Sequence, residues 1–197
     1  IDDGELSFES YYKIDAPQSD VENCVAHNGS AVPVPGRDIF VQAWYQGGVS
    51  VIDFTNTSEP KEIAFFDRGP IHDERLVVGG YWSTYWYNGK IYGTEIIRGL
   101  DVLALEPSEF LTENELAAAL LADMGDVFNP QQQFKISWPA EPVVALAYLD
   151  QFARDGGLAK DSHKAVAQMM QEAQGMLDSS KTDRKFSRSL VKLAKSL

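Results

Sequence analysis

The sequence predicts a mainly β chain with an α-helical C-terminal region: a partial β-propeller of about two antiparallel four-stranded blades, followed by a small helical bundle or hairpin. Three observations lead there. Short apolar and aromatic runs, punctuated by Gly, Pro, Asn and Asp, fill residues 29–105. The second group of runs echoes the first at a period near 51 residues, the size of one blade. From Pro142 onward apolar residues recur at helical spacing.

Residues 5–14 (ELSFESYYKI) are rich in aromatic types and read as a strand. DAPQSD (15–20) is a turn. Ala31–Val34 is a strand interrupted by Pro33, which lacks a backbone donor. Pro35 to Asp38 form a tight turn. Ile39–Trp44, Val49–Phe54 and Lys61–Asp67 are the next strands, with Gly47-Gly48 turning the chain between the first two. Residues 68–80 read as a longer connection. The pattern then returns with Tyr81–Tyr87, the Asn88-Gly89 hairpin signal, Ile91–Ile96 and Leu100–Leu105. Gly48, Val49, Val51 and Ile52 match Gly99, Leu100, Val102 and Leu103 at 51 residues, and Ile39-Phe40 match Ile91-Tyr92 at 52. The one-residue slip is expected in the intervening turn.

Thr112 and Glu115 form a capping-box pair that starts a helix, and Gly125 is placed to end it. Residues 126–142 read as an extended linker, with one strand at 134–138. Pro142 fits the first position of a second helix carrying Ala145, Leu149 and Phe152 on one face. Asp161 or Ser162 is the expected cap of a third, and a fourth begins near Asp183. The expected division is 1–110 for the blades, 111–142 for a helix and linker, and 143–197 for a helical region.

The chain has 197 residues, of which 44% are hydrophobic. Its net charge of −12 is uneven: residues 1–110 carry 18 acidic and 7 basic side chains, whereas residues 161–197 carry 4 and 7. An acidic body repels phosphates and anionic lipid, so nucleic acid is not an expected partner. The basic end reads as a solvated helical face. No apolar run reaches the ~18 residues of a transmembrane segment. The single Cys24 is a small buried hydrophobe, or pairs with a cysteine on another segment. The chain begins with Ile and no leader precedes the acidic IDDGE, so a mature form or a piece of a longer protein is expected.

GGVSVIDFTNTSEP (47–60) carries Gly48, Val49, Val51, Ile52, Asp53 and Pro60 in the order Gly-apolar-x-apolar-apolar-Asp, then a polar turn and Pro. This resembles the LVIVD-repeat family of bacterial β-propellers. The second unit departs from the pattern, with Ala104 where Asp53 would fall and Pro107 early. The resemblance covers residues 5–110 and implies a secreted, periplasmic or cell-surface protein, without supplying a catalytic motif. A propeller closes with about four blades or more, and this chain carries two. Its expected partners are therefore the remaining blades, on a preceding segment or on other copies in a complex or homo-oligomer.

Two sets of side chains stand out as candidate sites. His27, His72 and Glu95 are imidazole and carboxylate groups suited to a transition metal, if blade-entry loops gather them near an axis. Trp44, Tyr45 and Trp82, within a dense aromatic set, suit ligand stacking or packing between blades. Two functions follow: a non-catalytic segment that binds a partner or completes a propeller, and a metal-dependent enzyme. No Gly-rich phosphate loop, nucleophile elbow or paired cysteines favour other chemistry.

Overall fold

The computed structural model describes residues 4–125, 127, 129 and 135–196. One antiparallel sheet is formed by β1 (Gly29–Val32), β2 (Ile39–Ala43), β3 (Val49–Asp53) and β4 (Lys61–Phe66) in that order. A second contains β5 (Tyr81–Tyr87), β6 (Lys90–Glu95) and β7 (Gly99–Leu103). The described residues then form four helices: α1 (Glu113–Leu120), α2 (Pro142–Arg154), α3 (Lys160–Asp178) and α4 (Arg184–Ala194).

Several local expectations change. Residues 6–14 form no strand. They cross one face of the first sheet, where Tyr12 and Ile14 pack on Trp44 and Ile52. Side chains hold this segment: Ser10 donates to the Thr57 carbonyl and Tyr12 to Glu62. β1 stops at Val32 because Pro33 and Pro35 interrupt the ladder. Residues 135–138 form no strand either, and Phe134 lies outside the described residues. α1 ends at Leu120, well before Gly125. α3 starts after Ala159 rather than at an Asp161 or Ser162 cap, which leaves Asp161 in the first turn, where its charge faces the positive helix end.

Among the described residues the second sheet has three strands, not four. At a spacing of 51, β4 corresponds to residues 112–117. There Thr112 and Glu115 cap each other's backbone, and Ala117–Ala119 favour helix, so α1 forms instead.

Strand registers relate the two sheets. Val41 lies opposite Val51, and Tyr92 lies opposite Val102. Ala43 lies opposite Val49, and Thr94 opposite Leu100. One spacing of 51 therefore holds through both strands and their turn, and the expected slip is absent. Backbone polarity agrees. Trp44, just past β2, donates to Gly48 on the β3 side, whereas Ile96, just past β6, donates to Gly80 on the β5 side. Residues of equal parity in β2 and β6 thus point to opposite faces. Val41, Val49 and Val51 correspond to Tyr92, Leu100 and Val102, while Phe40 and Ile52 correspond to Ile91 and Leu103.

This correspondence decides how the sheets stack. The valine face of the first sheet is buried against Tyr81, Trp86 and Ile91 of the second. The first sheet's valine face thus meets the second sheet's opposite face, in a head-to-tail arrangement. At the seam Asn28 and Ser83 form a parallel bridge, and Ser30 Oγ accepts the buried Trp86 amide at 2.8 Å.

The core continues past residue 110 into Leu111, Ala119 and Met124. α2 and the segment before it hold the β1–β2 turn. Gln151 donates to the Pro35 carbonyl and the Trp138 indole to Pro33. Gly36 has a φ of +76°, and a Cβ there would sit 2.4 Å from the Tyr148 ring.

Charge locks this junction. Glu115 is fully buried and accepts from Arg37 at 2.8 Å and Arg154 at 2.6 Å. Arg37 also pairs with Asp53 at 2.6 Å and donates to the Phe110 carbonyl. Burial opposes ionisation of Asp53, but hydrogen bonds from Thr55 and Arg37 outweigh it and hold its pKa below the ordinary 3.8.

Removing one member of such a set leaves uncompensated buried charge. Glu115→Ala is expected to lower stability by about 3–5 kcal/mol in urea denaturation. A separate effect follows from Asp53. Its depressed pKa contributes stability above pH 3.8 that is lost as the pH falls through the folded value. Asp53→Asn should remove that component of acid unfolding, measured by circular dichroism.

Candidate functional site

The turn after β2 gathers the aromatic candidates. Trp44 closes β2 with its backbone and points to the N-terminal segment: its ring lies 5.9 Å from Tyr12, and it is 8% exposed. Tyr45 adopts a left-handed backbone, φ 50°, uncommon for a bulky residue. Its amide and carbonyl both bond Tyr81, at 3.2 and 2.9 Å, which holds the strained conformation and ties the turn to β5. A Cβ on Gly80 would fall about 2 Å from the Tyr45 backbone, so the two chains approach as closely as glycine allows.

His27, Tyr45 and Trp82 meet at this junction. The imidazole lies 4.3 Å from the Trp82 ring and 5.1 Å from Tyr45, and Tyr45 and Trp82 stand edge to face at 5.9 Å. His27 Nδ1 is 2.5 Å from the Trp82 carbonyl. A carbonyl only accepts, so Nδ1 carries the proton and, in the neutral ring, Nε2 carries the lone pair. Trp82 remains half exposed. The arrangement offers an aromatic face and one imidazole nitrogen, chemistry suited to stacking and hydrogen bonding.

The other two metal candidates are engaged elsewhere. Glu95 is buried and accepts from the backbone amides of Gly80, Ile97 and Arg98. It organises the β6–β7 turn and the entry to β5. His72 Nδ1 accepts from the Glu74 amide within its own loop. Among the described residues no group of three or more His, Cys, Asp or Glu is placed to hold a metal ion.

A second concavity, of about 560 Å³, opens between residues 7–12 and the first sheet, with Phe40, Trp44, Ile52 and Phe54 on its floor. The Trp44 indole nitrogen is buried beside it without a hydrogen-bond partner. Nearby, Ser50 and Tyr12 both donate to Glu62. Burial, with Glu62 adding to it against the Ser50 hydrogen bond, pushes the Tyr12 phenol up to about 12. That group stays protonated and acts as a clasp.

The aromatic junction was only partly foreseeable. Tyr45 and Trp82 follow from aromatic density, but His27 was grouped with a metal set, and Trp44 turns away to the other cluster. Gln46 gave no sequence signal. Its buried side chain accepts from the Ile71 amide at 2.8 Å and donates to the Val77 carbonyl at 2.9 Å, pinning the irregular connection.

No family model, curated protein or solved structure matches this chain.

Cys24 is a partly buried free thiol beside Gly47. Burial, reinforced by Glu22 and Asp67, pushes its pKa up to about 11. Iodoacetamide at pH 8 is expected to modify it at least about tenfold more slowly in the folded chain than in urea. Equal rates would show that the thiol is not shielded.

Proposed function

We propose that this chain is a non-catalytic segment of a β-propeller of LVIVD-repeat type, acting outside the cytoplasm, and that it joins further sheets to complete its assembly. The head-to-tail stacking carries this reading. One face of a four-stranded unit seats on the opposite face of the next, with a constant spacing of 51 residues. Such stacking has a successor at each end, as blades have around an axis. The parallel bridge between Asn28, just before β1, and Ser83 of β5 supports it further, since adjacent blades set their first strands side by side.

Asp53, the last residue of the repeat motif, has a structural part. It holds Arg37, which in turn holds Glu115 at the helical end. The aromatic junction of His27, Tyr45 and Trp82 ties one unit to the next and presents the half-exposed Trp82 ring at its rim. Among the described residues His27, Glu95 and His72 each have separate partners, which gives the metal-dependent reading no support.

The test is the particle the chain forms in its own cell. Electron microscopy of the natively purified complex is expected to show four or more sheets radiating from one axis, with β1 and β5 innermost. A particle whose sheets share no axis, or a native form consisting of one isolated chain, would overturn the proposal.

A further inference from the structure

The two sheets are covered unequally. Val49 and Val51 are each 2% exposed, yet their counterparts Leu100 and Val102 are 63% and 55% exposed. Tyr92 of β6, opposite Val102, is half-buried. The second sheet therefore presents an apolar face of the kind the first sheet buries.

The molecule itself shows what covers such a face. On the first sheet the occupant is the opposite face of a neighbouring unit, with Ile91 and Leu103 directed at Val49 and Val51 across a shared cavity. The same opposite face of the first sheet bears Phe40 and Ile52 at those positions, joined by Phe54. Among the described residues it is covered mainly by residues 7–14, which pair in no ladder, with Ala16 and Cys24 at the edge. That segment exposes Phe8 and Tyr11 by 71% and 85% and is clasped by two side-chain hydrogen bonds. One chain thus carries both halves of an interface it already uses internally.

Resting on the stacked-unit reading above, we infer that a second copy of this chain docks on the Tyr92, Leu100 and Val102 face through its own Phe40, Ile52 and Phe54 face, displacing its residues 7–14. The contact is heterologous. It continues from copy to copy until the rotation closes a ring or extends a filament. The N-terminal segment competes for the Phe40 face and limits this growth. Tyr12→Phe, which deletes the hydrogen bond to Glu62, shifts the competition toward association.

Sedimentation of the full chain, purified alone, tests this. Wild type is expected to associate in the micromolar range, and Tyr12→Phe several-fold more tightly. Val102→Glu and Phe54→Glu change exposed positions on opposite faces, so unchanged melting temperatures will confirm that both fold. Each variant alone should be monomeric, and an equimolar mixture should form a dimer that grows no further. Wild type and Tyr12→Phe both remaining monomeric at about 100 µM would overturn the inference. So would a mixture that stays monomeric, or self-association by Phe54→Glu alone, which would mean pairing of like faces. If the isolated chain is monomeric but the native particle contains sheets from another polypeptide, this inference falls and the proposed function stands. If the native particle also lacks further sheets, both fall.

Discussion

Glu115 is the group on which the arrangement of this molecule depends. A carboxylate without solvent contact is stable there only because two guanidinium groups reach it, Arg37 from the β1–β2 turn and Arg154 from α2. Oε2, the oxygen paired with Arg154, also accepts the Thr112 amide in the capping box. One side chain thus starts α1, fixes α1 to the first sheet and recruits α2. Desolvating these charges is expensive, and a buried ion pair by itself is weak evidence of net stability. What it supplies is position, since this placement of α1 brings all three charges together. The same Arg37 extends the network to Asp53, so the end of β3 and the helical region share one electrostatic frame.

That frame explains why sheets and helices have one core. Leu111, Ala119 and Met124 belong to the same apolar cluster as the strand valines. Farther along, α3 buries only Met170 and α4 buries no residue. Burial thins toward the C-terminus, where the basic residues collect.

Strands and turns were legible because their signals are local. Gly48 and Asn88-Gly89 mark reversals by backbone chemistry, and each takes the positive φ such turns require. The capping box at Thr112 and the proline opening α2 are equally local. The role of each face was not legible. Val51 and Val102 are the same residue in the same motif, yet one is buried and the other open, because burial depends on whether another sheet is present. Long-range pairs were hidden for a similar reason: Arg37 and Glu115 are 78 residues apart, and His27 and Trp82 are 55 apart. The aromatic run 5–14 misled because aromatic content marks burial against a face as readily as membership in a ladder. His27 was legible only as a possible metal ligand, and its contact with Trp82 shows another role.

The replacement of a fourth strand by α1 also changes how far the chain can travel. An extended segment advances about 3.3 Å per residue, and a helix about 1.5 Å. Six residues of β4 run the length of their neighbour, whereas the eight of α1 cover little more than half that distance. The spacing along the sequence is preserved while the reach is nearly halved. In place of a further strand, α1 packs Ala119 into the shared core. A change of helical against extended preference over a few residues is enough to convert a repeating path into a terminus.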